Sequence, residues 1–155
     1  KKTMRTIILS LIALLSFTFS DAQIGEAKEI ENYTLLGKYY TLDDNYGTLE
    51  YRENNSGTNS YRWSMRDTQY TELNQSFSIF FDASDDDIDY LYNALLDAFK
   101  LKAKDEGISF QLGEGTAKLT RIPILGIRMT YFDNGISRET ILSKANLRKL
   151  FNRRK

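Results

Sequence analysis

The stretch Ser84–Lys104, S-D-D-D-I-D-Y-L-Y-N-A-L-L-D-A-F-K-L-K-A-K, restricts the fold more than any other part of the chain. Ile88, Leu91, Tyr92, Leu95, Ala98 and Phe99 recur at spacings of three and four, which places them on one stripe of a 3.6-period helix. Such a stripe requires a partner surface. Ser84 with Asp87 has the form of a capping box with Asp in place of Glu, and Asp85, Asp86 and Asp87 fall where the positive end of the helix dipole favours carboxylates. Lys100, Lys102 and Lys104 fall at the opposite end, with Gly107 beyond them as a stop. The pattern therefore predicts one long amphipathic helix over 84–104.

The partner surface is written on both sides of it as period-two alternation. Ahead of the helix, Leu35–Leu42, Thr48–Glu53, Tyr61–Arg66 and Phe77–Phe81 read as strands, separated by the turn clusters Asp43-Asp44-Asn45 and Asn54–Asn59. The apolar content of Phe77–Phe81 predicts a central place in the sheet. After the helix, Ile108–Leu112, Ala117–Ile122, Leu125–Tyr131 and Ile136–Leu142 repeat the pattern, and Asn134-Gly135 is suited to the positive φ values of a type I′ hairpin turn. The apolar phase slips between Leu119 and Ile122, which predicts a bulge or bend near Arg121 and Pro123. Ser143 then caps a short basic helix whose apolar stripe is Leu147, Leu150 and Phe151. Hairpin-linked strands pair antiparallel, so the expected class is α+β: a mostly antiparallel sheet, the long helix packed on one face, and a short basic C-terminal helix. The strands-then-helix order occurs twice, without matching sequence identity between the halves.

Lys1, Lys2 and Arg5 precede an apolar run from Ile7 to Phe19, followed by the small residues of Ser20-Asp21-Ala22. This is the arrangement of a secretory signal peptide over 1–22, cleaved after Ala22. As a helix at 1.5 Å per residue the run spans about 20 Å, short of a hydrocarbon core about 30 Å thick. Residues 23–34 form a polar lead-in, and 35–155 a single α+β domain. The expected location is therefore exported, periplasmic or extracellular.

Composition then limits the chemistry. With no Cys, disulfides, thiolate metal sites and a cysteine nucleophile are excluded, and with no His the usual general base near neutral pH is missing. Lys plus Arg and Asp plus Glu each total 21, so no global charge bias points to nucleic acid. Loss of Lys1, Lys2, Arg5 and Asp21 with the leader leaves 18 basic against 20 acidic groups. No phosphate-loop or serine-hydrolase signature occurs, and Gly113-x-Gly115 lies between two strand patterns, where a hairpin turn accounts for it. The acidic cluster from Asp82 to Asp89 has Tyr90 where a calcium loop needs Gly and Leu96 where it needs Glu, so helix capping accounts for it. No metal or cofactor is expected.

Two groups of cations point to binding. Arg52, Arg62, Arg66, Lys118 and Arg128 alternate against core positions, so a helix-free sheet face would carry them as a surface for a carboxylated or phosphorylated ligand. The terminal helix presents Lys144, Arg148, Lys149, Arg153 and Arg154 with no acid, as a surface for an anionic partner or for the acidic start of the long helix in another copy. Tyr51, Tyr61 and Trp63 share a side with Leu49 and Met65, which assigns them to the core rather than to stacking on sugar rings. The function expected is an exported, non-enzymatic binding or structural module of the cell envelope, with a protein, a polyanion, a glycan or a second copy as partner. The alternative is an exported hydrolase of a carbohydrate or cell-wall polymer working through paired carboxylates, with Glu50, Glu53, Asp67, Glu72, Glu114 and Glu139 as the candidate acids.

Overall fold

In a computed structural model of the chain, residues 32–42, 45–54, 57–70 and 72–153 are described. The leader and the lead-in as far as 31 lie outside them. Four strands, β1 (Thr34–Tyr40), β2 (Tyr46–Glu53), β3 (Asn59–Arg66) and β4 (Ser76–Ala83), form an antiparallel meander and run into helix α1 (Asp85–Ala98). A second meander, β5 (Ile108–Leu112), β6 (Gly115–Ile122), β7 (Gly126–Asp133) and β8 (Ile136–Leu142), runs into helix α2 (Lys144–Leu150). The α+β class and the antiparallel pairing agree with the sequence pattern, but the strands divide into two four-stranded sheets rather than one. No helix among the described residues is long and apolar enough to cross a membrane.

The inner faces of both sheets and the stripes of both helices meet in one core. Leu49, Trp63, Met65 and Ile79 from the first sheet and Leu119, Ile127, Met129 and Leu142 from the second are fully buried, together with Leu95, Leu147 and Leu150. The helices do not simply cover the sheets they follow. Helix α2 lies on β1 and β2, while α1 touches both β4 and β6. Phe151, just beyond α2, meets Trp63 edge to face at 6.1 Å and Tyr92 of α1 at 5.3 Å. Each half is thus closed by an element of the other.

Helix α1 begins as its sequence predicts. The Ser84 hydroxyl accepts from the Asp87 N–H at 3.3 Å, and Asp87 Oδ2 accepts from the Ser84 N–H at 2.9 Å. The Ser84 hydroxyl and N–H donors hold the Asp87 carboxyl below its ordinary range. The helix ends earlier than the pattern implies, at Ala98 rather than near Lys104. One more α-turn would carry Lys102 onto the stripe of Leu91, Leu95 and Ala98. The backbone instead tightens into successive i to i+3 bonds at Phe99, Lys100 and Leu101, and Asp105 accepts from the Lys102 N–H at 2.6 Å. The three lysines therefore follow the helix and do not complement its dipole.

Strand β4 is an edge, not a centre; α1 follows it directly, and Phe80 remains 56% exposed on its outer face. Of the bulge or bend expected near Arg121 and Pro123 it is the bend that occurs: the chain turns at 123–125 and the ladder of β6 with β7 has no bulge. Its register runs unbroken from Thr116 opposite Phe132 to Ile122 opposite Gly126, so the phase slip simply puts Arg121 on the inner side. The register shift lies in β1, between Leu35 and Gly37. The Asn134-Gly135 turn has φ of 47° and 78°, as a type I′ turn requires.

The β8 edge is closed by side chains from the first half. Asp67, fully buried, accepts from the Glu139 N–H at 3.2 Å and faces Arg138 at 3.5 Å, while Thr68 N–H donates to the Glu139 carbonyl at 2.7 Å. Asn45 Nδ2 donates to the Ile141 carbonyl at 2.9 Å. These bonds satisfy backbone groups that an open edge would offer to another chain. Nearby, the buried hydroxyls of Tyr39 and Thr140 approach one another but neither is placed for a hydrogen bond.

Burial pushes the Tyr39 hydroxyl up to about 12, with a smaller opposing pull from Thr140, and burial also raises Tyr61 and Tyr131. A folded pKa above the unfolded one stabilises the fold below the unfolded value, near 10, and that contribution is lost as pH rises through 12. Two units correspond to roughly 3 kcal/mol. Denaturant titrations should show constant stability up to about pH 10 and a fall between 10 and 12. Tyr39→Phe, which deletes an unpartnered hydroxyl, should leave neutral-pH stability within about 1 kcal/mol and flatten that fall.

Candidate functional site

The structure distributes the two predicted cation groups unevenly. Arg52, Arg62 and Arg66 lie on the outer face of the first sheet, and Lys118 and Arg128 on the outer face of the second, so they do not share one sheet. Arg62 is committed. Its Nε and Nη2 both reach Glu50 Oε2 at 2.8 Å, directly across the β2–β3 ladder, and its guanidinium lies 4.5 Å from the centre of the Tyr33 ring. Ser60 donates to Asp82 at 2.6 Å, and Ser64 and Ser78 share a bond of 2.8 Å, so this face is a set of cross-strand polar pairs. Arg52 and Arg66 are engaged as well. Arg128 stands 3.6 Å from Glu139, and Lys118 occupies the row between Ser109 and Thr130.

The terminal helix is different. A groove of about 430 Å³ runs between edge strand β1 and α2, lined by Leu35, Gly37, Lys38, Arg148, Lys149, Asn152 and Arg153. Three of the predicted cations, Arg148, Lys149 and Arg153, come together here with Lys38, which the sequence pattern did not single out. Lys144 stands apart, 5.5 Å from the centre of the Phe99 ring, and Arg154 lies outside the described residues.

Local chain geometry builds the groove. The β1 irregularity precedes Gly37, and a Cβ there would run into the carbonyl oxygens of Lys149 and Leu150. Only glycine lets strand and helix approach so closely. At the helix end Asn152 takes φ of 51°, Arg153 N–H donates to the Arg148 carbonyl at 2.8 Å, and Asn152 N–H to the Lys149 carbonyl at 3.3 Å. This is a Schellman closure with Asn in the left-handed position. It turns Arg153 back onto Asp89 of α1 and over the Tyr92 ring. The acidic helix thus meets the basic one within the same molecule. Lys38, Arg148 and Lys149 make no ion pair among the described residues, so the groove keeps its positive charge beside the apolar wall of Leu35.

No family model, no curated protein and no solved structure matches the chain. Point charges on flexible stems together with a guanidinium suit anionic oxygens. Among the described residues no group of three acids is placed to hold a metal ion.

Gly37→Ala should force β1 and α2 apart. We expect a loss of about 1–3 kcal/mol in chemical denaturation.

Proposed function

We propose that this protein is an exported, non-catalytic binding module of the cell envelope, and that the groove between β1 and α2 takes an anionic group of its partner. The observation that carries this reading is the convergence of Lys38, Arg148 and Lys149 on one concavity with no carboxylate among them. Cations gathered on one helix by solubility alone would not recruit Lys38 from a strand distant in sequence. A phosphorylated or carboxylated polymer fits, since several weak, solvent-exposed charge contacts add up along a repeating anion. The leader supports the location, because its basic start, apolar run and small residues before Gln23 have the form that export machinery reads.

The hydrolase alternative draws on one feature: Asp82 and Asp87 line the same crevice of about 210 Å³, with Tyr90 and Phe110. A general acid must hold its proton near neutral pH, which calls for a raised pKa. Asp87 is held down by its capping bonds, and Asp82 accepts from Ser60. Neither belongs to the acids the sequence singled out for that reading, and of those, buried Asp67 is occupied in closing the β8 edge. The crevice fits helix capping better than acid–base chemistry.

In calorimetric titrations with polyphosphate and with polyglutamate, the 23–155 protein should bind at low salt and lose affinity as salt rises. The Lys38→Glu/Arg148→Glu/Lys149→Glu variant should bind at least tenfold more weakly, while Arg52→Glu should change affinity less than twofold. Equal binding by the native protein and the triple variant would remove the groove from the account. Expression of the full chain in a bacterium with two membranes should yield a protein outside the inner membrane that begins at Gln23 by N-terminal sequencing.

A further inference from the structure

The β1 and β8 edges are finished in opposite ways. Asp67, Thr68 and Asn45 seal β8, whereas β1 has no such cover among the described residues. The Thr41 N–H donates to the Asn45 carbonyl at 2.9 Å. Alternation along the β1–β2 register from that bond makes Tyr39 with Gly47 and Gly37 with Leu49 the pairs that bond one another. Lys38 and Tyr40 fall between them, so their N–H and C=O groups point away from β2, and no described residue bonds to them. The groove lies along this open edge. Gly37 and Lys38, neighbours that face opposite sides of a strand, both line it, so it opens on the edge itself. Arg148 and Lys149 of α2 reach it from the inner side of the sheet, and exposed Lys38 stands on the outer side.

We propose that the groove's partner is an extended acidic peptide, with Asp or Glu at successive positions, that adds to β1 as a fifth strand of the first sheet. The inference rests on the anion-binding reading of the groove and names its partner. A guest strand would meet backbone donors and acceptors at Lys38 and Tyr40, and its alternate side chains would meet α2's cations on one face and Lys38 on the other. A phosphate polymer would satisfy the cations but leave those backbone groups to water. An edge lysine and a register shift, as at Lys38 and Gly37, discourage pairing with neutral or basic strands. Pairing of β1 with its own copy would set Lys38, Arg148 and Lys149 against the same three residues. Carboxylates on both faces of the guest turn that repulsion into attraction, so the charges select the strand that the open edge accepts.

The test is amide hydrogen exchange by NMR on the 23–155 protein, alone, with octaglutamate and with polyphosphate. The Lys38 and Tyr40 amides should exchange rapidly in the free protein. Saturating octaglutamate should slow both at least tenfold, and polyphosphate less than twofold. Octaglutamate N-methylated at every residue keeps its carboxylates but has no backbone donors, and should bind at least tenfold more weakly. The Lys38→Glu/Arg148→Glu/Lys149→Glu variant should lose both the binding and the protection. Octaglutamate binding that depends on these three residues yet leaves the two amides unprotected would overturn the added strand while the anion groove stood; no such binding of either polymer would remove both. Slow exchange in the dilute free protein, or protection that grows with protein concentration alongside dimers in analytical ultracentrifugation, would also overturn the proposal, because the edge would already be covered or would belong to a second copy.

Discussion

The closure of the first sheet by the last helix is the contact on which the rest of the domain depends. Leu147, Leu150 and Phe151 supply the cover for β1, β2 and Trp63, and each side chain so buried contributes about 1.5–3 kcal/mol. Together they rival the net stability of a domain of this size, about 5–15 kcal/mol. Without that cover the largest side chain of the first sheet would face water. The C-terminus therefore completes a core begun at Thr34, and the two similarly ordered halves are mutually dependent despite their separate sheets.

The same contact creates the groove. Packing a short helix onto an edge strand at glycine distance leaves a trough along the seam, and the helix must turn its polar side outward there. Because Leu147, Leu150 and Phe151 occupy the buried stripe, Arg148, Lys149 and Arg153 are directed to its rim. Lys38 arrives from the opposite wall through the register of β1, two residues beyond the irregularity. Charge on the rim follows from packing beneath it, and Asp89 neutralises only Arg153. Elsewhere positive charge is taken up locally: Glu50 holds Arg62 and Glu139 stands beside Arg128. The chain's overall charge balance conceals this local excess.

Edges and turns show how far local chemistry governs the design. The β8 edge is sealed by Asp67, Thr68 and Asn45, three polar residues that as a sequence resemble ordinary turn formers. Asn134-Gly135 states its turn type openly. Ile124 does the reverse: its φ of 70° is imposed by Arg121, which donates to the Ile122 and Gly126 carbonyls, and by hairpin closure between Ile122 and Gly126. An isolated Arg-Ile-Pro-Ile-Leu-Gly segment gives no sign that its arginine points inward to hold its own turn.

Local periodicity and capping determined the strands, the α1 start at Ser84, the α2 cap at Ser143 and the inward positions of Trp63, Met65 and Leu95, because these depend on spacing within a few residues. Periodicity overran the end of α1, since only the surrounding core makes Lys102 unacceptable on the buried stripe. Tertiary structure alone decided that the strands form two sheets, that β4 is an edge, and that α2 lies on the first sheet rather than its own. The cations divide in the same way: alternation put Arg62 on an outer face, but only its ladder partner reveals that Glu50 takes it up. The groove was half legible, through the basic residues of α2, and Lys38 was not, because the wall opposite a helix is fixed by contacts across more than a hundred residues of chain.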